Sequence, residues 1–91
     1  MFDLLAIIIY SKNQKGGKRV NSRIKLLRKE LLKLSQADFA EVLNLKRNSI
    51  SLIEVGKRNP SDRTISDICQ KFNVSESWIR NGTGDVFIKT P

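Results

Sequence analysis

Apolar residues recur at helical spacing from residue 22 onwards, and short polar breaks divide the pattern into five segments. Ile24, Leu27 and Leu31 fall at i, i+3 and i+7, and Leu26 and Leu32 widen that face. This predicts a first helix over about Ser22 to Leu32, capped by Asn21 or Ser22. Arg23, Lys25, Arg28, Lys29 and Lys33 lie mostly on the other side and read as a solvated face. A second helix is expected over Gln36 to Leu43. Ser35 is its N-cap, Asp38 complements its positive end, and Phe39, Ala40 and Leu43 face inward. Ala40 is small where two helices must cross closely. Asn44 tolerates the left-handed backbone that ends a helix, and Leu45 can plug the corner that follows.

The third segment, Arg47 to Val55, turns Ile50 and Ile53 inward and projects Arg47, Asn48, Ser51 and Leu52 outward. Lys46 before it offers no acceptor to cap the free N–H groups. Gly56 ends this helix, and Lys57-Arg58-Asn59-Pro60 forms the loop. Ser61 caps a fourth helix whose stripe is Ile65, Ile68, Cys69 and Phe72, ending at Asn73. Cys69 reads as a small core residue. Ser75 caps a short fifth helix over Glu76 to Arg80, where Trp78 and Ile79 close the core beside Val74. After Asn81-Gly82-Thr83-Gly84, the apolar run Val86-Phe87-Ile88 packs back or pairs as a strand. The fold class is all-α, with five short helices in a domain spanning residues 20–91.

Residues 1–19 break the pattern. Leu4 to Ile9 is an apolar run far shorter than the ~20 residues that span a bilayer. Basic residues follow the run rather than precede it, which argues against a signal peptide. Two readings stay open. One is an N-terminal arm, with a β-branched strand broken off at Gly16-Gly17. The other is a start site placed too far upstream. Lys15-Gly16-Gly17 is encoded by AAR-GGN-GGN, which can contain the ribosome-binding sequence AAGGAGG, and Val20 lies at a suitable distance to be a GTG start.

The net charge of +8 changes the functional picture. Residues 1–19 contribute +3, and residues 20–91 keep 13 basic and 8 acidic side chains, a net of +5. Such a balance suits a polyanionic partner held by phosphate contacts. One cysteine and no histidine exclude an internal disulfide, Cys/His zinc sites, and His-based acid–base or Cys–His nucleophilic catalysis. No metal site, cofactor or enzyme is expected. Within Leu34–Pro60, two amphipathic segments flank Asn44-Leu45-Lys46, and the second opens on Arg47, Asn48 and Ser49, all able to donate hydrogen bonds to nucleic acid. This is the pattern of a helix-turn-helix. Gln36, at the first helical position beside free N–H groups, has a geometry that suits a phosphate.

Leu34-Ser35-Gln36 with Phe39-Ala40, Ile50-Ser51 with Glu54, Gly56-Lys57-Arg58 with Pro60-Ser61, and Trp78-Ile79-Arg80-Asn81-Gly82 together resemble the lambda/Cro-type repressor family, the Xre-like helix-turn-helix domains. The likeness covers about Arg23 to Phe87. It implies a five-helix domain that binds operator DNA, usually as a dimer on a near-palindromic site. Position by position, it implies that Lys46, Arg47 and Asn48 open the recognition helix, that Leu52 faces the groove, and that Gln36, Lys57 and Arg58 meet the phosphates. From their own side chains and placement, Ser51 is expected at the bases and Ser49 at the phosphates. Three departures stand out. Asn44 replaces the usual turn Gly. Leu52 occupies a commonly polar position. The Arg that the family often has seven residues before the helix 2 Gln is Lys29 here, with Arg28 one place earlier, so the partner of Glu54 is open between them.

The resemblance leaves a repressor of double-stranded DNA, acting as a cytoplasmic homodimer, as the leading expectation. Its main rival is an antitoxin-like module that holds a toxin partner and regulates its own operon. A membrane-associated regulator anchored through Leu4 to Ile9 is a further alternative; no membrane role is expected. The start-site reading has a direct test in the gene: a purine run AAGGAGG across codons 15–17 supports it, and its absence excludes it.

Overall fold

A computed structural model describes residues 19–88. The expectations for the apolar run and the glycine break near the N-terminus lie outside these residues. Helix α1, Val20–Leu26, runs directly into a π-helical turn, Leu27–Leu31. Then come α2 (Gln36–Val42), α3 (Arg47–Glu54), α4 (Asp62–Phe72) and α5 (Glu76–Asn81). The all-α architecture expected from the pattern is the one observed.

The inward stripes meet in one core. Ile24, Leu27, Phe39, Ile50, Ile68 and Trp78 are essentially solvent-free, and the rings of Phe39 and Phe72 stack with centroids 5.2 Å apart. Burial of this kind is the main favourable term for so small a chain. Three serine caps form as their residue type predicts. Ser35 Oγ accepts the Asp38 N–H at 3.0 Å, Ser61 Oγ that of Thr64 at 3.1 Å, and Ser75 Oγ that of Trp78 at 3.5 Å. Asn44 adopts φ 56°. There its N–H donates to Glu41 O at 3.1 Å and the Leu45 N–H to Ala40 O at 2.8 Å, a Schellman ending. Gly56, at φ 84°, closes α3 in the same way, with the Lys57 N–H on Leu52 O at 3.0 Å. Cys69 is half-buried, and burial, reinforced by Glu76, pushes its thiol above the usual value. The tail both packs and pairs: Val86 is buried, and Phe87 forms an antiparallel bridge with Val74.

Helix α1 departs from expectation in three ways. It begins at Val20, and neither Asn21 nor Ser22 caps it. The N-cap is Arg19, whose carbonyl accepts the Arg23 N–H at 3.2 Å. Arg23 and Arg28 are buried rather than solvated. Their heads find fixed acceptors. Arg23 donates from Nε to Ile79 O at 2.9 Å and from Nη2 to Arg80 O at 2.6 Å. It therefore sits at the negative end of α5, where a cation is favoured, although burial pulls its guanidinium below the usual arginine value.

The third difference is the π turn, and it identifies the partner of Glu54. The Leu32 N–H bonds to Leu27 O, five residues back, at 2.8 Å. A wider turn of this kind takes up one extra residue. Arg28 stands eight residues before Gln36 instead of seven, and the π turn absorbs the surplus. Arg28, not Lys29, therefore reaches Glu54, with Nε 2.5 Å from Oε2 and Nη2 3.0 Å from Oε1. Lys29 is left exposed. Arg28 Nη1 also holds Leu34 O at 2.7 Å.

The pair is buried, with side chains 10% and 2% exposed for Arg28 and Glu54. Removing one partner strands the other charge. Glu54→Ala is expected to cost about 3–5 kcal/mol, read as a lower urea midpoint with an unchanged slope. A loss below about 1 kcal/mol would put the pair in the class of surface ion pairs.

Candidate nucleic-acid interface

Helices α2 and α3 pack against each other, with Ala40 buried in the core and Leu45 half-buried in the corner between them. That packing brings residues of both first turns together on one side of the molecule. There Gln36, Arg47, Asn48 and Ser51 line a single polar concavity. Arg47 and Asn48 are exposed, and Ser51 is half-buried. Lys46 is the N-cap residue of α3 and is exposed beside them; no side chain caps that helix. The first turn of α3 holds no acidic residue. Its uncapped N–H groups and its cations thus carry positive potential of the same sign.

Gln36 is less open than the sequence suggests. It is half-buried, and its Nε2 donates to Glu54 Oε1 at 3.1 Å. The same carboxylate that neutralises Arg28 therefore orients Gln36. One amide hydrogen is committed inward, and a second remains for a ligand. Glu54 brings little negative potential to the face, because its side chain is buried against Arg28.

Beyond the end of α3, Lys57 and Arg58 are exposed, and neither enters a salt bridge among the described residues. Arg58 reaches back along the helix, with Nη1 donating to Ser49 Oγ at 3.2 Å. Ser49 lies half-buried beneath it. Leu52 is half-buried, and its carbonyl accepts the N–H groups of Lys57 and Arg58 at 3.0 and 3.2 Å. It thus anchors the loop through its backbone as well as facing outward. The expected residues form two adjoining groups: a concavity of Gln36, Arg47, Asn48 and Ser51, and a basic loop of Lys57 and Arg58 over Ser49.

Sequence reasoning missed one support of this face, Asn21, and left the partner of Glu54 open between Arg28 and Lys29. Asn21 is buried, and its Nδ2 donates to Ile53 O at 2.8 Å and Arg58 O at 2.9 Å. The available signal was spacing. Position 21 lies three residues before Ile24, on the same inward stripe, so a polar residue there needs internal partners. Among the described residues, no three His, Cys, Asp or Glu side chains gather closely enough to hold a metal ion. The face offers hydrogen-bond donors and positive charge, which is the equipment of a binding surface.

Comparison with known proteins places this geometry. The helix-turn-helix family profile matches residues 24–79. The chain is 45% identical over 56 residues to the antitoxin PezA of Streptococcus pneumoniae serotype 4, a match covering 62% of this chain. It spans 35% of that relative's length. Among solved structures, it resembles the P22 c2 repressor protein, crystallised with a synthetic operator, at a TM-score of 0.65 and 21% identity, over 72% of this chain and 98% of that one. With α2, the Asn44 turn and α3 inside the matched region, the chain belongs to the helix-turn-helix family of the lambda/Cro type.

Proposed function

We propose that this protein is a sequence-specific DNA-binding transcriptional regulator, a repressor of the phage or mobile-element kind. The observation that carries this reading is the convergence of Gln36, Arg47, Asn48 and Ser51 in one concavity at the positive end of α3, flanked by Lys57 and Arg58. The operator complex described for the P22 c2 repressor supports it by likeness of fold.

In this reading α3 enters the major groove. Arg47 pairs bidentately with guanine and Asn48 with adenine, each contributing about 1–3 kcal/mol of discrimination. Lys46 and Ser51 flank them, and Leu52 meets a thymine methyl group or shields the groove edge. Gln36 gives its free amide hydrogen to a phosphate at the start of α2. Ser49 accepts from Arg58, which leaves its own hydroxyl hydrogen for the backbone. Lys57 and Arg58 hold further phosphates and set the docking angle. One such domain makes few base contacts, so a homodimer reads a near-palindromic site with half-sites about one helical turn apart. The protein then works in the cytoplasm; among the described residues no helix is long and apolar enough to cross a membrane.

The match to PezA favours a second reading, in which the chain is the DNA-binding part of an antitoxin that also holds a toxin. Co-purification with the product of a neighbouring gene would favour that reading over a free-standing repressor.

The two classes of contact separate in a binding titration. Arg47→Ala is expected to relax preference at one base pair. Lys57→Ala weakens all duplexes alike and lowers the salt slope by about one. Identical behaviour of the two variants would contradict the division of base and phosphate contacts.

A further inference from the structure

We infer that Asn21 is a positioning residue for DNA binding: from α1 it holds the Lys57–Arg58 loop in place for the phosphate backbone. The inference rests on the DNA-binding reading above and adds to it a residue that lies outside the helix-turn-helix itself. Asn21 is 5% exposed. Both of its amide hydrogens are committed to backbone carbonyls more than thirty residues away, one to Ile53 O at 2.8 Å and one to Arg58 O at 2.9 Å. The first acceptor lies in the last turn of α3, and the second lies inside the loop. One side chain therefore fixes the loop relative to the axis of the helix that enters the groove.

The loop needs such a hold. It leaves α3 through Gly56 at φ 84°, a residue with wide conformational freedom. From within its own segment, the Leu52 carbonyl restrains the N–H groups of residues 57 and 58. The Arg58 carbonyl, at the far side of that hinge, is held by Asn21. Lys57 and Arg58 are exposed, and neither is drawn off by an acidic partner among the described residues. Their placement is thus set by the backbone that carries them, with Arg58 also held by its Nη1 hydrogen bond to Ser49 Oγ at 3.2 Å. The Arg19 guanidinium lies close by, 3.9 Å from where a Cβ on Gly56 would stand. The start of α1 therefore backs the end of α3 with both a cation and an amide.

Asn21→Ala in the full chain tests this, with a mixed-sequence DNA duplex as probe and circular dichroism to confirm helical folding at the temperature used. Two effects are expected. The slope of log affinity against log salt falls by about one phosphate's worth, near 0.9. Amide exchange at residues 57 and 58 quickens on the order of tenfold, while α2 and α4 keep their protection. The base preference that depends on Arg47 persists. A folded variant with an unchanged slope overturns the inference, even where its thermal midpoint has dropped, because lost stability alone does not move the slope of the folded protein. If Asn21→Ala does not fold, Asn21→Ser retains one donor and is judged by the same two readouts. A wild-type chain that binds no duplex sinks the DNA-binding reading and the inference with it. A steep wild-type slope matched by the variant removes the inference alone.

Discussion

The buried pair of Arg28 and Glu54 is the constraint on which the rest of this domain depends. Glu54 stands at the last position of α3, and one of its carboxylate oxygens serves both Arg28 from the π turn that continues α1 and Gln36 from α2. Three helices are thereby referred to one charge. The arrangement is stable only because it is complete. A third guanidinium N–H goes to the Leu34 carbonyl, so the desolvated charges are compensated on several sides. The functional face inherits its geometry from this cluster. Gln36 cannot turn freely, and α3 cannot rotate about its axis without breaking the pair.

The π turn is what makes the cluster attainable in this chain. Arg28 lies one residue too far from Gln36 for a regular helix of the family's spacing. Widening a single turn at Leu27–Leu31 restores the alignment. The small core is stitched elsewhere by the same device, a long polar side chain laid inward and satisfied by backbone. Arg23 caps the carbonyl end of α5, and Asn21 ties α1 to the end of α3. A domain of this size has limited apolar surface to bury. Its orientation specificity comes in part from these directed contacts, which fix the helices at defined angles.

Much of the architecture was legible because local chemistry decides it. Ser35, Ser61 and Ser75 cap the helices that follow them, and Asn44 and Gly56 take the left-handed positions that end α2 and α3. The stripes at Ile24, Leu27 and Leu31 and at Ile65 and Ile68 are buried as their spacing requires. Arg23 was not legible, since its residue type points to solvent and its partner stands 56 positions away; for Glu54, 26 positions from Arg28, the sequence left Arg28 and Lys29 both open. The start of α1 was hidden for a similar reason: its cap is the backbone carbonyl of Arg19, which no side-chain preference announces. The grouping of Gln36 with Arg47, Asn48 and Ser51 followed from the helix-turn-helix reading. The tether between Gln36 and Glu54 required the structure.

In the proposed function, α3 presents base-reading side chains to DNA in a symmetric pair of copies. Selection of bound duplexes from a random pool by the full chain tests it most directly. Recovered sites should converge on two inverted half-sites about one helical turn apart. A pool that shows no enrichment over its starting composition, or a single asymmetric motif, would contradict it.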